Sequence, residues 1–241
     1  MSLFGEYGVA FVPHYTPLHY LPFILRDGKL RSKPSLREEG FEDTHFRSKS
    51  YRHDQGRGFG EYAFLTLDQA PRILGAKLKG GFPHVAIEIP ETAFDEVDFH
   101  LCRYNVAFTR VLRRDGLPGR PEGSGNGRYY EDKQIPSART EADKREMLDK
   151  YLNDPKTMIE VLVPGALEIP VDMRITCFHD DDVQIAQDIV RGINCPQYVV
   201  QLSNDLKYKP KKQHQQNVAY YIDTALADPD WRGNGLEYDK V

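Results

Sequence analysis

The stretch Met158-Ile159-Glu160-Val161-Leu162-Val163-Pro164 is an apolar, β-branched run interrupted by a single acid. β-Branched residues favour strands, so the run predicts a buried strand over residues 158–163. Burying a carboxylate in such a strand is costly unless another group pairs with it. Glu160 is therefore a candidate for chemistry as well as for packing.

Two other acids in apolar strands compete with Glu160. Glu88 lies in the segment 86–90 (AIEIP), and Glu168 lies in the segment 166–170 (ALEIP). Because side chains alternate across a strand, each of the three acids is also compatible with the solvent-facing position of a half-buried strand. Periodicity alone does not rank them.

The second signal lies near the N-terminus, where residues 8–15 (GVAFVPHY) predict a strand. Thr16 and Pro17 then predict the N-cap and first position of a helix, and Gly28 predicts its end. His14 and Thr16 are two residues apart, so they would share a face if the strand continued. Alternatively, His14 is a partly buried packing residue and Thr16 only caps the helix.

The remaining strand and helix signals do not alternate regularly along the chain. Strands are predicted over 61–66, 83–90, 97–109, 158–163, 166–169 and 197–202, and helices over 68–79, 140–152, 180–191 and 214–227. Residues 29–60 and 113–139 are rich in Gly, Arg and polar residues and predict long loops. This order favours an α+β fold with a mixed, mostly antiparallel β core and peripheral helices, in a single domain over 1–241.

Composition and motifs argue against several classes of protein. The net charge of −4 and the pI of about 6.1 lack the global basic character of many nucleic-acid binders. Three cysteines without a C-x-x-C pair argue against a disulfide framework and a zinc site. Neither a dinucleotide-binding glycine motif, a P-loop nor a serine hydrolase motif occurs. Without a signal peptide or a long apolar segment, we expect a cytoplasmic protein that binds no metal and no membrane.

Charge is unevenly distributed along the chain. Residues 26–58 contain nine Lys or Arg against six acids, and residues 103–128 contain six Arg against two acids. Residues 207–212 (KYKPKK) add a basic run. The acidic run 180–182 precedes helical periodicity, so we interpret it as a helix N-terminus and not as a metal site.

Two motifs resemble those of the DarT family. Residues 14–25 (HYTPLHYLPFIL), followed by 28–30 (GKL), are similar to the family's N-terminal motif. Residues 160–163 (EVLV) are similar to its second motif, a catalytic Glu followed by an apolar residue and Leu-Val. DarT proteins transfer ADP-ribose from NAD to a nucleobase of single-stranded DNA, and a macrodomain antitoxin reverses the modification. The resemblance thus selects Glu160 among the three acids.

The resemblance implies roles for further residues of an ADP-ribosyltransferase-like fold. Glu160 is the expected catalytic residue, with Arg47 or Arg52 meeting the pyrophosphate or the transition state. NAD, as a co-substrate and not a permanently bound cofactor, is expected to contact His14, Tyr15, Thr16, Tyr62 and Phe64. The segment before the catalytic strand is expected to bind the nucleic acid through Arg113, Arg114, Arg120, Arg128, Tyr129 and Tyr130, which combine charge with stacking rings.

The resemblance leaves the acceptor open, because residues 59–66 (FGEYAFLT) differ from the equivalent strand of the thymidine-modifying members. Single-stranded DNA is the favoured acceptor, with a toxin role and a separate macrodomain antitoxin as partner. The alternatives are an RNA-modifying transferase in phage defence, a non-catalytic nucleic-acid-binding module, and protein-directed transfer or plain NAD hydrolysis.

Overall fold

The computed structural model describes residues 2–41, 60–67, 72–103, 137–154, 158–204 and 208–232. Ten strands lie within these ranges: β1 Phe11–Pro17, β2 Lys29–Arg31, β3 Tyr62–Leu67, β4 His84–Pro90, β5 His100–Arg103, β6 Ser137–Ala138, β7 Ile159–Pro164, β8 Ala166–Glu168, β9 Arg174–Cys177 and β10 Val199–Leu202. Seven α-helices lie in the same ranges: α1 Leu3–Glu6, α2 Leu21–Asp27, α3 Lys33–Glu38, α4 Arg72–Lys79, α5 Glu141–Tyr151, α6 Asp180–Gly192 and α7 Lys212–Ala227.

The strands form two four-stranded sheets and one two-stranded ladder. One sheet has the order β1-β4-β9-β10 and the other has the order β3-β7-β5-β6, while β2 pairs with β8. Among the described strands, only β9 and β10 pair in parallel. The predicted α+β class with a mostly antiparallel core is therefore confirmed.

The edge strands β1 and β3 bring the two sheets side by side. The His14 ring on β1 bonds through Nδ1 to the backbone carbonyl of Phe64 on β3, at 2.7 Å. One hydrophobic cluster includes residues of both sheets and of the helices packed on them, among them Val12, Ile87 and Val161. The prediction of a single domain over 1–241 extends to residues outside the described ranges and stays a prediction.

The chain after His14 differs from the sequence-based prediction. β1 continues through Thr16 to Pro17 because its whole length pairs with β4, so the prediction that Thr16 is a helix N-cap was wrong. A 3₁₀ turn over Leu18–Tyr20 follows, and α2 begins only at Leu21. Gly28, at φ 67°, ends α2 as predicted, because glycine adopts the left-handed conformation without steric cost.

Part of the loop predicted over 29–60 is regular structure. Lys29–Arg31 forms β2 against β8, and Ser32 caps α3 by accepting a hydrogen bond from the Ser35 backbone N–H. This short strand was missed because three residues carry no readable alternation. Residues 42–59 of this predicted loop, and residues 113–136 of the loop predicted over 113–139, lie outside the described residues, while Ser137–Ala138 at the end of the second loop forms β6.

The acidic run begins α6, as predicted. The three acids occupy its first turn, and the His179 side chain accepts a hydrogen bond from the Asp181 backbone N–H. Asp182 is nevertheless fully buried, where the Tyr208 hydroxyl donates to its Oδ2 at 2.6 Å. Burial raises the pKa of Asp182 from 3.8 to about 6, against the opposing effects of the Tyr208 hydrogen bond and His179.

Replacing Asp182 with Asn is expected to stabilise the protein near neutral pH. The raised pKa of Asp182 makes the folded state bind more protons than the unfolded state between pH 3.8 and about 6. Stability from this group is therefore present at low pH and lost as pH rises through that window. Asn keeps an acceptor for Tyr208, so we expect a gain of up to about 3 kcal/mol at pH 7 and a flatter pH profile.

Urea unfolding at several pH values between 4 and 7 measures this effect. Asp181→Asn is the matched control, since Asp181 lies in the same helical turn with its side chain 65% exposed. An Asp182→Asn profile as steep as that of the control would contradict the assignment.

Candidate active site

Glu160 lies at the centre of a sheet, on β7 between β3 and β5. Its direct cross-strand neighbours are Thr66 on β3 and Cys102 on β5. Only 6% of Glu160 is exposed. The pKa of the Cys102 thiol rises to about 12, chiefly through burial and secondly through the negative charge of Glu160. The carboxylate is therefore held in a poorly solvated environment.

The register divides the two faces of this sheet. Leu65, Val161 and Leu101 face the main hydrophobic core. Alternation places Glu160 on the other face, hereafter the Glu160 face, and the cross-strand partners show which side chains share it. They are Tyr62, Phe64 and Thr66 on β3, Leu162 on β7, and His100 and Cys102 on β5. Tyr62 and Phe64 pack there against Cys102 and Leu162 in a small separate cluster.

The other two acids have surroundings that distinguish them from Glu160. Glu168 is an exposed residue whose carboxylate lies 2.6 Å from the Lys29 ammonium. Glu88 is half-buried on β4, where the Gln201 side-chain amide approaches its carboxylate at 3.4 Å. Burial raises the pKa of Glu88, while a Thr176 hydrogen bond and the Arg174 charge oppose the rise. Glu160 is thus the most buried of the three.

His14 is oriented by its bond to β3. Because the Phe64 carbonyl can only accept, Nδ1 of His14 carries the proton in this 2.7 Å bond. In the neutral ring Nε2 is then an acceptor, suited to a hydroxyl donor such as a ribose. Thr16 lies on the same face of β1 and is 4% exposed.

Tyr15 lies on the opposite face of β1 from His14. It packs against a cluster formed by Leu74, Leu78, Ala86 and Phe178. The structure therefore brings Tyr62, Phe64 and Glu160 together on one face, places His14 beside it, and does not bring Tyr15 to Glu160. A contact between Tyr15 and NAD stays a prediction.

The remaining predicted site residues lie outside the described residues. They are Arg47, Arg52, Arg113, Arg114, Arg120, Arg128, Tyr129 and Tyr130. Their roles towards NAD and nucleic acid stay predictions.

An open cleft with a volume of about 420 Å³ lies beside Thr66. Phe11 and Pro13 of β1 line it, together with Thr66 and Leu67 of β3 and with Glu88. Thr66 is also the cross-strand partner of Glu160. The cleft therefore lies at the junction of the two sheets, and of the three strand acids it is Glu88 that lines it.

Sequence reasoning missed two residues near Glu160. His100 is 8% exposed, and its ring centroid lies 5.4 Å from that of Tyr62 at an interplanar angle of 49°. Burial lowers the pKa of His100, and the positive charge of Arg139 lowers it further. No motif contains His100 or Arg139, and only the register of β5 with β6 and β7 shows where they lie.

The described residues hold neither a metal-binding cluster nor a membrane-spanning helix. They contain no group of three or more His, Cys, Asp or Glu side chains arranged to hold a metal ion. In the same part of the chain, every helix is too short or too polar to cross a membrane.

Comparison with known proteins places this fold beside DarT structures. Thermus sp. 2.9 DarT in complex with ADP-ribosylated ssDNA is 17% identical, with a TM-score of 0.53 over 83% of this chain and 96% of that chain. Thermus sp. 2.9 DarT in complex with NAD+ is 15% identical, with a TM-score of 0.53 over 83% and 98% of the two chains. No family model and no curated protein matches the sequence. The chain therefore has the DarT fold, which confirms the resemblance at the level of the fold.

Proposed function

We propose that this protein is an NAD-dependent ADP-ribosyltransferase that modifies a nucleobase of single-stranded DNA and acts as a toxin. The observation that carries the proposal is the buried Glu160 carboxylate on a central strand of a DarT-like fold. A carboxylate at 6% exposure is an expensive feature for stability alone. Its position suits the stabilisation of positive charge in a poorly solvated site.

His14 and the junction of β1 with β3 form the donor side of the proposed site. Nε2 of His14 would accept a hydrogen bond from a ribose hydroxyl of NAD, because Nδ1 carries the proton of the bond to the Phe64 carbonyl. Thr16 lies on the same face, and Tyr62 and Phe64 offer rings for the nicotinamide. Thermus sp. 2.9 DarT, which shares the fold, has been solved in complex with NAD+. Arg47 or Arg52 would add the bidentate cation that suits a pyrophosphate.

Glu160 would act at the ribose carbon that is bonded to nicotinamide in NAD and to the acceptor base in the product. NAD supplies the ADP-ribosyl group: the bond from this carbon to nicotinamide breaks, nicotinamide leaves with the bonding electron pair, and a bond to the acceptor base forms. Glu160 stabilises the positive charge that develops on the ribose, as carboxylates do in glycoside cleavage. It also accepts the proton that the attacking base loses, so charge and atoms balance.

Support for a DNA acceptor comes from the shared fold and from the arginine-rich segment. Thermus sp. 2.9 DarT has been solved with ADP-ribosylated ssDNA. Residues 103–128 of this chain carry a local charge of +4, from six arginines and two acids. Local positive charge with neighbouring tyrosines is typical of single-strand binding and reconciles a net charge of −4 with a nucleic-acid substrate. A macrodomain antitoxin is the expected partner.

Nicotinamide release in the presence of different acceptors tests the proposal. The protein is incubated with NAD and single-stranded DNA, single-stranded RNA, a peptide mixture or no acceptor. We expect release to rise at least tenfold with DNA over no acceptor. A rise with RNA alone identifies the RNA-modifying alternative, and equal release in all four arms identifies plain NAD hydrolysis. No release in any arm contradicts the enzyme assignment.

A further inference from the structure

The far edge of the Glu160 sheet carries a cation that no motif predicts. On β6, Ala138 pairs with Leu101 and faces the core, while Ser137 pairs with Cys102. Arg139 follows directly, so alternation places it on the opposite side from Ala138, which is the side of Cys102. That side is the Glu160 face.

The positive charge of Arg139 affects the pKa values of two residues on that face. Burial raises the pKa of Cys102, and the positive charge of Arg139 opposes the rise. The same charge is the second cause, after burial, of the lowered pKa of His100. Arg139 itself is exposed. An exposed guanidinium thus stands beside the buried residues of the Glu160 face, where it can meet an anionic ligand.

His100 adds a polar atom that points to a ligand. It pairs across the sheet with Leu162, two residues from Glu160 on β7. Its Nδ1 is buried without a hydrogen-bond partner in the described part of the chain. A buried imidazole nitrogen without a partner is costly, and a bound polar group would satisfy it.

Arg139 and His100 lie on the opposite side of Glu160 from His14. The order of strands is β1, β3, β7, β5 and β6, with His14 on the first, Glu160 on the third and Arg139 directly after the last. Adjacent strands are about 4.8 Å apart, so Arg139 lies roughly 10 Å from the β7 strand on the side away from His14. A carboxylate that assists transfer from a donor to an acceptor has the donor on one side and the acceptor on the other. With the donor at His14, the acceptor belongs at Arg139.

We propose that Arg139 and His100 form a subsite for the acceptor strand, in which Arg139 binds a backbone phosphate and His100 hydrogen-bonds the adjoining nucleotide. This inference rests on the proposed function, because it requires a nucleic-acid acceptor. Guanidinium and phosphate form charge-assisted, bidentate hydrogen bonds. A neutral imidazole suits a nucleoside, because it both stacks and hydrogen-bonds.

The test compares Arg139→Gln with Arg191→Gln in the full chain. Arg191 is an exposed arginine on α6 whose side chain pairs with Asp188, so its variant removes the same charge elsewhere. We expect Arg139→Gln to raise the KM for a single-stranded oligonucleotide at least tenfold while leaving the KM for NAD within twofold. The slope of log K against log[salt] for oligonucleotide binding should decrease in magnitude by about 0.7, the value for one phosphate contact on a single strand. Arg139→Lys should restore the slope, since it restores the charge.

The outcomes separate this inference from the proposed function. One outcome is that the wild-type enzyme modifies the oligonucleotide, while Arg139→Gln and Arg191→Gln have the same KM for the oligonucleotide, the same KM for NAD and the same salt dependence of binding. This outcome rejects the proposed subsite and leaves the proposed function intact. A rise in the KM for NAD without a change for the oligonucleotide assigns Arg139 to the donor pyrophosphate and also overturns the subsite. A wild-type protein that neither binds nor modifies nucleic acid overturns both.

Discussion

Replacing Glu160 with Gln is expected to lower the rate of ADP-ribose transfer by roughly 10³-fold, the scale of a lost general base and charge stabiliser. Gln has nearly the same shape, so the packing between Thr66 and Cys102 is retained. The loss should fall on kcat, because the carboxylate interacts most strongly with charge that develops in the transition state. Transfer of labelled ADP-ribose to an oligonucleotide under saturating NAD measures it.

The other two strand acids provide matched controls for this substitution. Glu88→Gln removes the half-buried carboxylate on β4, and Glu168→Gln removes the exposed one on β8. We expect both variants to keep kcat within about threefold of the wild type. If Glu88→Gln lowered kcat as strongly as Glu160→Gln, the choice among the three acids would be wrong. Thermal unfolding of each variant verifies that the fold is intact.

Replacing His14 with Ala is expected to raise the KM for NAD by roughly 10- to 100-fold, corresponding to about 1.4–3 kcal/mol for a lost hydrogen bond in a desolvated site. The substitution also removes the bond between β1 and the Phe64 carbonyl. Because His14 would hold the donor and not the reacting atoms, kcat should fall less than the KM rises. Initial rates of nicotinamide release over a range of NAD concentrations separate the two constants.

Tyr15→Phe examines the neighbouring residue, whose side chain lies on the other face of β1. A KM for NAD within twofold of the wild type would restrict the donor site to the His14 side of the strand, whereas a clearly raised KM would confirm the predicted contact between Tyr15 and NAD. His14→Ala with an unchanged KM for NAD would remove His14 from the donor site. Urea unfolding distinguishes a local loss of binding from a general loss of stability.

Much of the fold was predictable from local signals. The apolar run around Glu160 forms the strand Ile159–Pro164, and Thr140 caps α5 by accepting a hydrogen bond from the Asp143 backbone N–H. Gly28 ends α2, and the acidic run begins α6. Each of these features is determined by residues a few positions apart, so a local sequence pattern is enough to predict it.

Features that depend on pairing between distant strands were not predictable. Thr16 has the side chain of a helix N-cap, but pairing with Val85 on β4 keeps it in the strand. Local alternation fits an outward position equally well for Glu88, Glu160 and Glu168, and only the register opposite Thr66 and Cys102 places Glu160 in a buried setting. Arg139 lies on the Glu160 face because β6 joins β5. Because β5 and β6 are far apart in sequence, no local pattern predicts that they pair.

The mass of a single-stranded DNA oligonucleotide after incubation with NAD and the wild-type protein tests the central claim most directly. We predict a gain of one ADP-ribose that remains on a nucleoside after nuclease digestion, together with no gain for Glu160→Gln. An unmodified oligonucleotide with the wild-type protein, or an equal gain with Glu160→Gln, would contradict the assignment of Glu160 as the catalytic carboxylate of a DNA-modifying ADP-ribosyltransferase.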